Sequence, residues 1–278
     1  MKNYNKFAIV GLIICFCFII AGCYLAFNSN AEDKGVSPTY EDPEEETFYP
    51  DLLLVSIPEK IPQQIKEYTG FTVSFNKDNH TPNYVSWELL DKEIVNERSR
   101  SDKFWQDEEI IGCPSHKDYS YSGYDRGHMC PAADQKWSDE AMNDCFVMSN
   151  MCPQDHRLNA GAWNTLENKE RQWAKRDGSL IIIAGPIYSE YDSKTIGDIG
   201  VRVPSAFFKA FLAPYVEKPR AIAFVYPNME APGNMQDYAM SIDQLEEILN
   251  YDFFSSLPDN LEEKVEANYS FIEWNNSK

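Results

Sequence analysis

The chain has 278 residues, of which 43% are hydrophobic and 14% aromatic, and its formal net charge is −19. This apolar fraction excludes wholesale disorder, collagen-like repeats and low-complexity character, and the length predicts one large domain or two small ones. The net charge argues against a protein that holds nucleic acid over a broad basic surface, because most of that surface would repel phosphates.

The first thirty residues predict export and attachment to a membrane. Residues 7–27 form an uncharged run that follows Lys2 and Lys6, which is typical of an export signal and is long enough to span a bilayer. The residues before Cys23 resemble the lipobox of bacterial lipoproteins. Lipidation of Cys23 and an uncleaved signal anchor are both open, and both place the rest of the chain outside the cytoplasm, in the periplasm or at the cell surface.

The sequence divides into three segments. We expect a leader or membrane anchor over residues 1–23, an acidic disordered linker over residues 24–50, and one folded domain over residues 51–278. The domain contains four cysteines, Cys113, Cys130, Cys145 and Cys152. In an exported domain they favour two disulfides, with three connectivities open, because no C-x-x-C pair or histidine cluster accompanies them as a zinc site would require.

Hydrophobic periodicity predicts both strands and helices in this domain. Strands are predicted at residues 70–75, 83–90, 180–184 and 221–226, and helices at residues 159–176 and after the capping boxes that begin at Ser241 and Asn260. Gly178 ends the first of these helices. Because strands and helices do not alternate regularly, the pattern favours an α+β fold over a doubly wound sheet.

Residues 124–128 bring three chemically active side chains together. Asp125, Arg126 and His128 provide an acid, a guanidinium and an imidazole, and Gly127 allows tight backbone geometry beside the histidine. A histidine after a glycine is by itself more often a packed or surface residue than a catalyst. This motif alone therefore does not indicate a catalytic site, and a second group of residues is needed to support one.

The predicted helix at residues 159–176 supplies this second group. Asn159, Trp163 and Glu167 recur every four residues, which places them on one stripe of a regular helix. Amide and carboxylate oxygens suit a hard cation that keeps most of its waters, as Mg²⁺ does. The alternative is an asparagine cap followed by a solvated glutamate.

Five segments, in order along the chain, resemble the DNA/RNA non-specific endonucleases, the ββα-metal nucleases related to endonuclease G and the Serratia nuclease. They are residues 83–87, 122–131, 149–154, 159–167 and 183–186. The resemblance covers about residues 70–270. It implies an α+β fold with a mixed, mainly antiparallel sheet flanked by helices and a ββα-metal catalytic motif.

The resemblance also implies roles for the central residues. His128 would be the general base that takes a proton from the attacking water. Asn159 would be the direct ligand of one hydrated Mg²⁺, with Mn²⁺ as the alternative metal, and Glu167 would accept hydrogen bonds from the ion's waters. The substrates would be DNA and RNA, cleaved with little sequence preference.

Three further residues are implied by the same resemblance. Arg126 and Asn150 would shape the site around metal and substrate, and Arg100 would neutralise charge on the phosphate. Arg100 could instead be a solvated residue at a strand end. The alternative function is a nucleic-acid-binding surface protein whose catalytic site has decayed, and the sequence identifies no protein partner.

The negative charge is unevenly distributed along the chain. Residues 111–180, which contain most of these motifs, hold 8 basic and 10 acidic residues, whereas residues 31–50 alone hold a net −6. A cation and a few arginines can therefore hold one phosphate locally. The composition predicts weak, salt-sensitive binding of nucleic acid.

Overall fold

One antiparallel sheet forms the centre of the fold. The computed structural model describes residues 49–276, except residues 190 and 192. Its strands are β1 (Gln64–Tyr68), β2 (Phe71–Asn76), β3 (Thr81–Leu90), β4 (Asp125–His128), β5 (Met151–Gln154), β6 (Ser179–Ile187), β7 (Thr195–Ile196), β8 (Val201–Arg202), β9 (Ala206–Ala213), β10 (Arg220–Pro227) and β11 (Ala239–Met240). Seven of them form the sheet in the order β1-β2-β3-β6-β9-β10-β11, and all neighbours in it are antiparallel.

Short helices and two small strand pairs surround this sheet. The helices are α1 (Asp139–Asp144), α2 (His156–Leu158), α3 (Asn164–Asp177), α4 (Ile242–Leu249), α5 (Asp259–Glu266) and α6 (Phe271–Asn275), with a π-helical turn at Asn159–Trp163. The strand pairs are β4–β5 and β7–β8. The α+β prediction, with a mainly antiparallel sheet flanked by helices, is confirmed.

The sheet is covered on both faces. Leu180, Ile182 and Ala184 of β6 belong to the hydrophobic core that also contains residues of α3. Ile181 and Ile183, which point to the opposite face, belong to the core that contains residues of α4 and α5. Because both faces of β6 are buried, its sequence is a continuous apolar run rather than an alternating one.

The structure extends the predicted strands and adds others. The strand predicted at residues 83–90 begins at Thr81, and the strand predicted at residues 180–184 continues to Ile187. Strands β1 and β9 were not predicted. The apolar run of β9 is interrupted by Lys209. Because a lysine is almost never fully buried unless it is paired, this residue argues against a buried strand in the sequence.

The segments predicted to precede the domain lie almost entirely outside the described residues. This applies to the leader or anchor at residues 1–23 and to the linker at residues 24–50, of which only residues 49 and 50 are described. In the part of the chain that the structure describes, no helix is long and apolar enough to cross a membrane.

The four cysteines are buried free thiols, so the predicted disulfides are wrong. Each sulfur has a local environment of its own: Cys145 Sγ donates to the carbonyl of Met142, and Cys130 Sγ accepts from Nε2 of Gln135. Burial raises the pKa of the Cys145 thiol to about 12. These cysteines behave as small apolar side chains with little tendency to ionise.

A buried ion pair joins α3 to the middle of the sheet. Lys209 of β9 and Glu170 of α3 have fully buried side chains, and Lys209 Nζ donates to Oε2 of Glu170 at 2.9 Å. Nζ also lies 5.2 Å from the ring centroid of Trp87 and 4.8 Å from that of Trp163. The lysine therefore fixes the helix against the sheet through charge and aromatic contacts.

Lys209→Met should destabilise the protein by about 3–5 kcal/mol, because it leaves the Glu170 carboxylate buried without its partner. The double variant Lys209→Met/Glu170→Leu should recover most of this loss, since it removes both charges. Guanidinium unfolding of the variants measures the difference. Lys175→Met, on the exposed side of α3, is the control and should stay within about 0.5 kcal/mol. A single-variant loss below 1 kcal/mol would contradict the proposed importance of the pair.

Candidate active site

Five of the six predicted site residues line one cavity of about 210 Å³, and they are Arg100, Arg126, His128, Asn159 and Glu167. The β4–β5 pair, the π-helical turn and the first turn of α3 carry four of them. Arg100 comes from the segment between β3 and β4. Residues separated by up to 67 positions in the chain therefore meet at one site.

Gly127 allows β4 and β5 to pair closely beside the histidine. In the antiparallel register, Gly127 lies opposite Cys152 and His128 lies opposite Met151. A Cβ atom on Gly127 would lie 2.3 Å from Oε1 of Gln154, which is closer than real Cβ contacts. A larger residue would therefore displace either Gln154 or the strand that carries His128.

His128 is held as a neutral base. The residue is 7% exposed, and its ring packs against Phe104 and Phe146, with centroid distances of 5.8 and 4.9 Å. It hydrogen-bonds to the backbone of Arg126, whereas its Nε2 atom has no partner among the described residues. Nδ1 is therefore the donor, and Nε2 is left to accept a proton. Burial, followed by the positive charge of Arg100, lowers the pKa of His128 to about 3.

Both arginines lie over the same aromatic pair. The guanidinium carbon of Arg100 is 5.3 Å from the ring centroid of Phe146, and that of Arg126 is 5.1 Å from Phe104. Arg126 Nη2 donates to the carbonyl of His116 at 2.8 Å. None of the ion pairs between described residues involves either guanidinium. Their charges are therefore available to a phosphate.

Asp125 orients the side chain of Asn159. Asn159 Nδ2 donates to Oδ2 of Asp125 at 2.8 Å, and Nδ1 of His156 lies 2.9 Å from the same oxygen. Because the amide nitrogen is held by a carboxylate, the carbonyl oxygen Oδ1 is the atom left for a metal ion. The contact of Asp125 with Asn159 is not predictable from the sequence, since spacing alone cannot reveal a contact across 34 residues. The same holds for the contact of His156 with Asp125.

The helix at this site differs from the predicted one. Asn159–Trp163 form a π-helical turn in which Gly161 has non-helical angles, φ −104° and ψ −109°. The prediction of one regular stripe through Asn159, Trp163 and Glu167 is therefore wrong. Trp163 is fully buried against Lys209, whereas Asn159 and Glu167 both reach the cavity. Such turns are frequent at functional sites.

Glu167 adds a carboxylate that a cation would stabilise. Burial raises its pKa to about 7, while the charge of Lys209 acts in the opposite direction. A carboxyl group that is costly to ionise gains from a positive ion beside it. With Oδ1 of Asn159, it provides the oxygen ligand and the water acceptor that a hydrated Mg²⁺ or Mn²⁺ requires, so the residues present fit such an ion.

Asn150 lies outside the cavity and is fully buried. Its Oδ1 accepts from the backbone nitrogen of Cys130 at 2.9 Å, and its Nδ2 donates to the carbonyls of Cys130 at 3.0 Å and Cys145 at 2.9 Å. These bonds fix the chain just after His128. Asn150 thus acts on the site through the backbone rather than by direct contact.

Comparison with known proteins identifies relatives of this chain. The family model of the DNA/RNA non-specific endonucleases matches residues 50–260. A relative from Schizosaccharomyces pombe, "Nuclease 1, mitochondrial", is 33% identical over 68% of this chain and 65% of its own length. "Nuclease EXOG, mitochondrial" from Danio rerio is 32% identical over 68% of this chain and 60% of its own. The chain thus spans somewhat less than two thirds of these relatives.

A solved structure agrees with the sequence matches. The structure described as "Crystal structure of the EndoG/EndoGI complex: Mechanism of EndoG inhibition" superposes with a TM-score of 0.66 at 27% identity. The superposition covers 71% of this chain and 88% of that one. Since the family model matches well over half of the sequence, the chain belongs to the DNA/RNA non-specific endonuclease family.

Proposed function

We propose that the chain is a Mg²⁺-dependent endonuclease that hydrolyses the phosphodiester bonds of DNA and RNA with little sequence preference. The observation that carries this proposal is one cavity lined by His128, Asn159, Glu167 and two arginines, where Nε2 of His128 has no hydrogen-bond partner within the described part of the chain. Family membership supports the same reaction class. Mn²⁺ is the alternative metal.

His128 is the general base in this mechanism. The aromatic pair and Arg100 keep the imidazole uncharged at neutral pH, so its Nε2 accepts a proton from a water molecule as that water attacks phosphorus. The bond from Nδ1 to the Arg126 backbone holds the ring in the required tautomer. As the new bond from the water oxygen to phosphorus forms, the bond from phosphorus to the leaving oxygen breaks, and that oxygen takes a proton from solvent. The imidazolium later releases its own proton to solvent, which restores the neutral base.

The remaining residues hold the substrate and the ion. When bound, Mg²⁺ supplies positive charge for the phosphate oxygens and the leaving oxygen. Asn159 Oδ1 would be its protein ligand, and the Glu167 carboxylate would accept hydrogen bonds from its waters. Arg100 and Arg126 bind the non-bridging oxygens and offset charge that develops during attack.

Low sequence preference follows from the nature of these contacts. The charged groups of the cavity recognise phosphate and metal, and such contacts carry no base information. The two cavity arginines belong to a chain of net charge −19, so the rest of the surface adds little to affinity. Binding is consequently weak and sensitive to salt, with a high KM.

His128→Ala should lower Mg²⁺-dependent cleavage of plasmid DNA and RNA by about 10²–10⁴-fold, because it removes the base. The measurement uses the full chain in detergent micelles, with circular dichroism to verify folding and EDTA to remove the ion. His116→Ala is the matched control, since its side chain is exposed and only its backbone carbonyl contacts Arg126.

Two outcomes would contradict the mechanism. Cleavage that persists unchanged in His128→Ala would exclude this residue as the base. A parent chain that binds nucleic acid but does not cleave it with Mg²⁺ or Mn²⁺ would instead support the alternative of a decayed catalytic site.

Asp125→Ala should raise the Mg²⁺ concentration for half-maximal activity by about 10–100-fold, because Asn159 loses the carboxylate that orients its amide. Activity at saturating Mg²⁺ should fall much less, since His128 and the arginines are intact. A Mg²⁺ titration of initial rates measures both quantities. Asp155→Ala, whose carboxylate bonds to Arg157 rather than to Asn159, is the control. An unchanged midpoint would contradict the orienting role.

The location of the enzyme is a further part of the proposal. We propose that residues 1–23 export the chain and leave it attached to a membrane, through a lipidated Cys23 or an uncleaved anchor, with the catalytic domain outside the cytoplasm. The two relatives described above are named as mitochondrial proteins. This leader differs from a transit peptide, because its 21 uncharged residues contain no arginine and no amphipathic pattern.

Cys23→Ser should abolish incorporation of radiolabelled palmitate if Cys23 is lipidated, and it should leave an unprocessed precursor. Cys17→Ser, within the same apolar run, is the control and should retain the label. A parent chain that stays in the membrane fraction without label indicates the uncleaved anchor. Recovery of the parent chain in the soluble cytoplasmic fraction would contradict membrane attachment.

A further inference from the structure

Three acidic side chains converge on the face of the sheet opposite to the active site. Asp243 and Glu246 belong to α4 and Glu266 ends α5, and one carboxylate oxygen of each lies within 4.8 Å of those of the other two. Apolar residues of both helices pack in the core on this face, whereas Trp163 beside the cavity packs in the other core. The cluster is therefore separate from the proposed nuclease site.

Glu266 is the unusual member of this cluster. Its side chain is only 5% exposed, and its Oε1 atom is buried without a hydrogen-bond partner among the described residues. Glu246 uses Oε1 to accept from the backbone nitrogen of Phe253 at 2.7 Å, which leaves its Oε2 free of that bond. A buried carboxylate oxygen without a partner is costly, so a proton or a cation bound to this carboxylate would stabilise the fold.

The residues around Glu266 are themselves acidic, so they do not compensate the negative charge of its carboxylate. The carboxylates of Glu246, Glu262, Asp243 and Asp252 are all close enough to act on Glu266 with negative charge. None of the ion pairs formed within the described part of the chain includes a carboxylate of this cluster. Either a proton or a cation must offset the repulsion.

The spacing of the oxygens suits Ca²⁺. Ca²⁺ accepts irregular sets of oxygen ligands, whereas Mg²⁺ demands near-ideal octahedral geometry. Two ligands of one Ca²⁺ ion lie at most twice the metal–oxygen distance apart, which is about 4.6–5.2 Å. A separation within 4.8 Å therefore permits Ca²⁺ without rearrangement of the helices. Asp243 is exposed, so water can complete the coordination that three carboxylates begin.

We propose that Asp243, Glu246 and Glu266 bind a Ca²⁺ ion that joins α4 to α5. The ion neutralises the buried carboxylate and links two short helices. Its effect is on the stability of this part of the fold, and it is independent of the proposed nuclease function. Because water and only three protein side chains ligate it, the dissociation constant is on the order of 0.1–1 mM.

Calcium titration of thermal unfolding tests this site. The full chain carrying Asn159→Ala is used in detergent micelles after treatment with chelator, so that the proposed active-site ion does not contribute. Addition of 10 mM CaCl₂, about 10–100 times the expected dissociation constant, should raise Tm by about 3–10 °C. The same concentration of MgCl₂ should give less than half of this shift.

Substitutions in the cluster test whether a bound Ca²⁺ ion or a proton compensates the charge of Glu266. In the same background, Glu266→Gln and Asp243→Asn should each abolish most of the Ca²⁺-dependent rise, and calorimetric titration should show one Ca²⁺ bound before and none after the substitution. Asp243 is exposed, so this variant tests the site even if Glu266→Gln folds poorly. Glu247→Gln, exposed on the same helix, is the matched control and should retain the full rise.

Three results would overturn the proposal. The absence of any Ca²⁺-dependent rise in the parent would mean that Glu266 is a buried neutral acid. An equal rise in Glu247→Gln and Asp243→Asn would place the bound ion elsewhere. A Mg²⁺ response as large as the Ca²⁺ response would overturn the assignment to Ca²⁺.

Discussion

The ammonium group of Lys209 is the constraint on which the catalytic face depends. A charge with no exposure to water must be paired, and Glu170 of α3 supplies the carboxylate. The same ammonium lies against the ring of Trp163, which occupies the π-helical turn between Asn159 and Glu167. The ion pair therefore sets the position of α3 on the sheet, and with it the positions of the two proposed metal-site residues.

A second constraint is the burial of the His128 ring. The aromatic pair Phe104 and Phe146 covers the ring and also supports the two arginines. The same packing thus keeps the imidazole neutral and directs positive charge to the cavity. Local preorganisation of this kind would let an acidic chain hold a phosphate, as proposed, without a basic surface.

The two faces of the sheet have uncompensated charges of opposite sign. On the face of the proposed active site, the guanidinium groups of Arg100 and Arg126 form no ion pair among the described residues, and the phosphates of the proposed substrate would supply the missing negative charge. On the other face, the buried carboxylate of Glu266 lies among further acids and requires a proton or a cation. The net charge of −19 is therefore the sum of locally distinct sites, and it does not describe the environment of either one.

The hydrophobic pattern and the resemblance of five segments to one nuclease family were enough to predict the fold class and five of the residues that line the cavity. The resemblance could carry these residues because each lies in or near a short stretch of consecutive residues that can be matched directly along the chain. The contact of Asp125 with Asn159, the free state of the cysteines and the pairing of Lys209 became evident only once the segments were packed together. Each of these depends on which distant side chain lies within bonding distance. Periodicity and spacing along the chain predict the conformation of one segment, whereas contacts between distant side chains depend on how the segments pack.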